Sequence, residues 1–265
     1  MINVNKIYKL LEFLFTRYYV LFLLLVVLVS YGQLLGMYVW QDDNALFFKL
    51  AHIEENAGYL AAGPFGQGPY KYVATPYILI YQIFGFSTVP YFILTICIYF
   101  LTTFSVYKVF SAILGSNIGK LVGFLYATGY IASDGFIRLF NSVITSVSVI
   151  FINLMLLSYW NFYKLKTLKW YLLTLLFFFL TTEFARGRSH YLISVVLLFE
   201  LIFLAFEKPF KSLLYSIARL TPFVYIFYQY FVVNVDHRSN QVAKLFLALS
   251  KGEFDQLYSL LTSFA

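Results

Sequence analysis

The chain has 265 residues, of which 61% are apolar, 22% aromatic and only 12% charged. Soluble domains carry about twice that charge, so a soluble globular class is excluded and an α-helical integral membrane protein is expected. One cysteine, Cys97, excludes an internal disulfide, and the net charge of +7 reads as cytoplasmic loops rather than as a nucleic-acid surface.

Residues 1–17 carry Lys6, Lys9 and Arg17 against Glu12. The apolar run 18–39 is too long for a signal-peptide core, and no small-residue cleavage site follows it. It reads as a retained first span with the N-terminus inside, ending at an interfacial Trp40. A polar stretch over 40–76 follows. Asp42 or Asp43 is expected to cap a short helix over 44–56, with Gly58 as its stop. Leu46, Leu50, Ile53 and Ala57 share one face of that helix, which predicts that it lies along the membrane surface. GPFGQGP at 63–69 is turn-forming. The apolar piece 75–86 would reach only about 18 Å as a helix, too short to span, and reads as a surface or half-inserted helix.

Six further spans are expected at 89–110, 118–132, 139–162, 168–182, 191–206 and 213–235, making seven with the first. The predicted inner segments then hold ten Lys and Arg against two Glu, and the outer segments hold eight basic against nine acidic residues. That bias is the one that orients membrane helices. Counting 75–86 as a span would flip every later loop and put Lys164, Lys166 and Lys169 outside. Trp160 and Trp170 flank that cluster as interfacial anchors. Glu200 and Arg219 are expected at matched depths, about 10 and 12 Å from the inner face. A structural ion pair between the sixth and seventh spans is the favoured reading, and a proton or ion path the alternative.

Polar groups gather on the outer side. They lie in the first loop, in SDGFIRLFN at 133–141 and in TTEFARGRSH at 181–190. A carboxylate can take the proton of an incoming hydroxyl. Guanidinium groups can hold a phosphate through paired hydrogen bonds and stabilise it as it leaves. Together they supply what displacement at a sugar carbon needs when the leaving group is a lipid phosphate. The third, fifth and sixth spans are about 15–16 residues long, short of the usual 20, which would allow local thinning or a lateral opening for a lipid chain.

The paired acids at the outer end of the first span, the surface helix, the Gly/Pro turn and the segment TPYILIYQIFG resemble the GT-C glycosyltransferases. VFSAILGSNIGKLVGFLYATGYIASDGFIRLFNSV resembles that family's stretch through spans two to four. The family includes the protein O-mannosyltransferases and the aminoarabinose transferases of lipid A. The resemblance covers roughly residues 15–235. It implies an all-α membrane module with about seven transmembrane helices and a catalytic first outer loop at 40–76. It also implies a polyprenyl-phosphate sugar donor and inversion at the anomeric carbon. The first acid of the family's loop motif is its base, which maps onto Asp42, with Asp43 as support or acceptor ligand. Arg186, Arg188, Arg138 and Lys71 are candidates for the donor phosphate. His190, Asp134 and Glu183 are candidates for acceptor contact or support, Asp134 standing in for the acid that many members carry where this chain has Asn141. Residues 1–235 form the module, and 236–265 form a short amphipathic outer tail. Many members continue with further spans or an outer domain, so a missing C-terminal region or a second chain supplying helices is among the readings.

Blander readings stand beside these. Asp42 and Asp43 would also suit a role as helix caps alone, which can coexist with catalysis. Arg186 and Arg188 would also suit lipid headgroups. Lys71 would also suit plain exposure. No cofactor is expected. His52, His190 and His237 match no ligand spacing, so a divalent metal has no support from the sequence. The expected partners are the sugar donor, membrane lipids and an acceptor protein, glycolipid or polymer, with no nucleic acid. The expected location is the plasma (inner) membrane, multi-pass, with the site on the outer face. The rivals are a lipid-linked oligosaccharide flippase or small transporter, and an inactive structural fragment. A flippase would want polar residues along its path, whereas these spans are almost uniformly apolar.

Overall fold

The computed structural model describes residues 13–37, 42–52, 74–129, 139–184, 191–206, 209–230 and 252. Among them every regular element is a helix. α1 (Tyr19–Tyr31) runs on into a 3-10 turn at Gly32–Gly36. Two short helices follow, α2 (Asp42–Ala51) and α3 (Ala74–Phe84). Next come α4 (Thr88–Leu114), α5 (Ser116–Thr128) and α6 (Leu139–Leu165). The last are α7 (Leu168–Phe184), α8 (Leu192–Phe206) and α9 (Pro209–Tyr228). The chain forms two compact units, Met1–Thr174 and Leu175–Ala265.

Each expected span overlaps a helix, those at 18–39, 118–132 and 213–235 running on beyond the described residues. Among the described residues three stretches are long and apolar enough to cross a membrane: Tyr19–Gly36, Thr88–Leu114 and Ser142–Leu165. α5, α7 and α8 have 13, 17 and 15 residues and are shorter than those three. The piece expected at 75–86 is α3, whose 11 residues reach about 17 Å. Gly85 follows it at φ +58°, a left-handed turn that leads the chain into α4. The helix expected over 44–56 begins two residues earlier, so Asp42 and Asp43 form its first turn rather than its cap. Gly58 lies outside the described residues.

In the first unit α4 is the central helix, packed against α1, α5 and α6. α1 buries Tyr19, Leu23, Val27 and Tyr31, a stripe with the four-residue spacing of one helix ridge. Its opposite side is equally apolar but exposed, with Val29 83% accessible. So much exposed hydrocarbon on a helix that is apolar all round suits lipid rather than water. Tyr19 packs on Tyr107 with ring centroids 4.6 Å apart, and the Tyr31 hydroxyl lies 3.4 Å from that of Tyr99. These two contacts make α1 and α4 antiparallel. The chain between them therefore returns to the end where it left, with α2 and α3 at that end.

Hydroxyl and amide side chains stitch α4 to α6 in parallel register. Thr95 Oγ1 lies 3.3 Å from Ser142 Oγ, and Thr102 donates to the Ser146 carbonyl at 3.2 Å. Further along, Asn153 donates to Ser105 Oγ at 2.9 Å and the Trp160 indole donates to the Ala112 carbonyl at 3.0 Å. Apolar side chains gain little by leaving lipid for protein, so such bonds and close packing carry helix association in a bilayer.

α5 packs closest. Its buried positions are Gly119, Gly123 and Ala127, a small residue every fourth position. A Cβ on Gly119 would stand 2.0 Å from Ser111 Oγ and 2.6 Å from the Ser111 backbone nitrogen. Gly119→Ala is therefore expected to destabilise by an amount in the upper part of the roughly 1–3 kcal/mol range for overpacking. The clash is with backbone as well as a hydroxyl, so the gain in helix propensity, about 1 kcal/mol, does not offset it. The unfolding midpoint in detergent would measure this, and a midpoint at or above wild type would show that α4 and α5 can separate freely.

In the second unit Glu200 on α8 and Arg219 on α9 form a two-pronged ion pair. Arg219 Nε lies 2.9 Å from Oε1 and Nη2 lies 2.8 Å from Oε2. Ser216 Oγ accepts a further bond from Nη2 at 3.0 Å. Phe178 meets Phe223 edge to face at 5.0 Å. The ion pair expected from the matched depths of these two residues is thus present.

Candidate functional site

The head of α6 takes its partners from other helices. Asp43, in the first turn of α2, is 2% exposed, and its Oδ2 accepts the Leu139 N–H at 2.9 Å. The first amides of a helix have no partner within it, and the positive end of the helix favours an anion there. Asp43 thus serves as a cap, as the sequence allows, but for α6 and not for its own helix. The Leu139 carbonyl is satisfied from a third helix, by the Tyr77 hydroxyl of α3, and by Ser142 Oγ at 2.7 Å. Both backbone groups of the first residue of α6 are held by side chains.

The cluster continues inward. Thr95, which lies against Ser142, also donates to the Tyr91 carbonyl at 3.1 Å. The Tyr91 hydroxyl donates to the Gly85 carbonyl at 2.9 Å, closing the α3–α4 turn. Phe47 of α2 packs on the Tyr91 ring at 4.8 Å, and Tyr77 stacks beside the same ring at 6.2 Å. Leu50, Tyr77 and Leu139 are fully buried around them. Four helices thus meet on one polar centre.

Burial pushes the Tyr77 phenol far above its ordinary range, the adjacent Ser142 hydroxyl works the other way, and the Asp43 charge adds to the rise. Tyr77 therefore stays protonated and remains a donor to Leu139. Of the α2 face expected to meet the membrane surface, Leu50 is the described side chain. Leu50 faces protein, not a membrane surface, while Phe48 on the other side is 65% exposed. Asp43 ties α2 to α6.

Of the residues expected at the site, Asp43 is in this cluster. Asp42 begins α2, and its side chain lies outside what the structure describes. Glu183, in the second unit, accepts a hydrogen bond from the Tyr230 hydroxyl. Lys71, Asp134, Arg138, Arg186, Arg188 and His190 lie outside the described residues, as does His237. Among the described residues no three His, Cys, Asp or Glu side chains are grouped as a metal cage. Tyr77, Tyr91, Thr95 and Ser142 were not expected here. Their signal was the placement of hydroxyl side chains near the ends of otherwise apolar helices.

Asp43→Ala leaves the Leu139 amide buried without its partner, which costs about 1–3 kcal/mol, and removes a favourable charge at a helix end, worth about 0.3–1 kcal/mol. Asp43→Asn keeps an acceptor and should recover the larger part. Thermal unfolding of both variants in detergent measures the difference. Equal midpoints for the two would mean that the hydrogen bond is not what holds α2 to α6. No family model matches this chain, and neither a curated protein nor a solved structure matches it.

Proposed function

We propose that the chain is an integral membrane glycosyltransferase of the GT-C type. In this reading it crosses the membrane seven times and carries its site at the outer face. It moves a sugar from a polyprenyl-phosphate donor to a hydroxyl-bearing acceptor. The acceptor oxygen attacks the anomeric carbon from the face opposite the phosphate. Asp42 takes the hydroxyl proton, the bond from carbon to phosphate oxygen breaks, and the lipid phosphate leaves with its electron pair. Arg138, Arg186 and Arg188 hold that phosphate and its growing charge.

The observation that carries this reading is the bond from the Leu139 amide to Asp43. It ties the acid pair of the first loop to Leu139, the chain neighbour of Arg138, which supports a base and one arginine of the clamp drawn from neighbouring segments. Asp43 is buried with an oxygen committed to α6, which supports a structural role for it and the role of base for Asp42. The antiparallel α1 and α4 support a layout in which α2 and α3 stay on one side and the lysine-rich ends stay on the other. A flippase would need polar side chains along a path. Those between α4 and α6 bond to one another and to nearby carbonyls instead.

The test is a transfer assay on the purified chain in native membrane lipids, with radiolabelled polyprenyl-phosphate sugars and a membrane extract as acceptor. Label should leave the carrier with wild type and stay on it with Asp42→Asn. Carrier bound by both proteins and transferred by neither would overturn the enzyme in favour of a carrier.

A further inference from the structure

The end of the first unit away from Asp43 carries a second polar feature. α4 and α6 run parallel, so their C-terminal ends lie together about 40 Å from their heads. There a cavity of about 390 Å³ opens between α1, α4 and the start of α5. Arg17, Lys120, Ser116, Tyr107 and Thr16 are among its lining residues, and among the described residues no acid lines it. Arg17 is exposed and makes no ion pair among the described residues. Lys120 is held in place, its ammonium donating to the Thr16 carbonyl at 3.2 Å and lying 5.5 and 5.7 Å from the Phe15 and Tyr19 ring centroids. An ammonium has three N–H donors, so two remain for a ligand. The N-cap of α5 is Gly115, which supplies no side-chain bond to the amides that begin the helix. One held cation, one exposed cation, a hydroxyl and an uncapped helix start around one cavity are a setting for a phosphate.

The walls say which kind of phosphate. The cavity lies at the first residues of the apolar stretch Tyr19–Gly36, the level at which a span meets water. Leu21 lines it and begins an exposed apolar strip through Leu25, Leu28 and Val29. That strip follows one helix face for about 12 Å. Ile118, Leu121 and Leu125 are exposed on α5. A free phosphate has no use for such a strip, whereas a diacyl lipid has chains to lay on it. We propose that this cavity binds the phosphate of an anionic phospholipid, clamped by Arg17 and Lys120 with Ser116 as neutral donor, its acyl chains on the exposed face of α1. The site depends on the chain lying in a membrane and not on its transferring sugar.

The experiment uses the full chain in neutral detergent. Lipid binding is read by native mass spectrometry during titration with phosphatidylglycerol, with phosphatidylcholine and with inorganic phosphate. Wild type should prefer phosphatidylglycerol. Each cation near the surface counts for about one kcal/mol, so Arg17→Gln with Lys120→Gln should weaken that binding about 30-fold. Lys164→Gln with Lys169→Gln removes the same charge at the same end and should cost far less. Equal losses from the two pairs would overturn the site in favour of diffuse surface charge. Inorganic phosphate displacing the lipid at equal concentration would overturn the lipid assignment. A photoreactive phosphatidylglycerol on wild type needs no variant to fold. It should mark peptides holding residues 16–21 or 116–121, and marking only elsewhere would sink the proposal.

Discussion

Asp42→Asn should lower the rate of sugar transfer about 10²–10⁴-fold, the usual worth of a positioned general base. The exchange keeps size and shape and removes only the ability to take a proton. Asp42 is the first residue of α2, where Asn is as welcome as Asp, so the helix should form as before. The base acts as the proton moves in the transition state, and the loss should therefore fall on kcat with KM little changed. Asp43→Asn supplies the contrast. Asp43 is buried and bonded to the Leu139 amide, so its change should appear in stability more than in rate. Transfer lost in Asp43→Asn and kept in Asp42→Asn, both folded, would exchange the roles of the two acids. Transfer kept in both would remove the base from this loop.

The helices were legible because apolar run length suffices to place them along the chain. α6 begins at Leu139 and α7 at Leu168, both as expected, and the short α3 stops at Gly85, which turns the chain into α4. The Glu200–Arg219 pair was legible as well, since two opposite charges at equal depth have little choice of partner. The role of Asp43 was not. Helix-start preference links an acid to the residues just after it, and the amide that Asp43 serves belongs to a residue 96 positions away. The close approach of α5 was written in the spacing of Gly119, Gly123 and Ala127, yet which helix fills that groove is a tertiary fact. Tyr77 shows the same limit. Its place in TPYILIYQIFG suggested a surface or half-inserted helix but not a partner, and its hydroxyl reaches the Leu139 carbonyl across a fully buried contact.

Removing one partner of the Glu200–Arg219 pair should destabilise the chain by about 3–5 kcal/mol, because the other is left as an uncompensated buried charge. The carboxylate is 2% exposed and the guanidinium side chain 17%. Glu200→Met should therefore be the milder single change: Arg219 can stretch its head toward the water while its stem stays in hydrocarbon. Arg219→Met offers the carboxylate no such route. Glu200→Met with Arg219→Met removes both charges at similar volume and should return close to wild-type stability, since a buried pair gains little over well-packed apolar groups. Unfolding of the four proteins by denaturing detergent gives the coupling as a double-mutant cycle. A coupling of several kcal/mol with a stable double variant identifies a structural pair that locks α8 to α9. Single variants as stable as wild type would mean that water reaches the charges, and the ion-path reading would then gain the support it lacks.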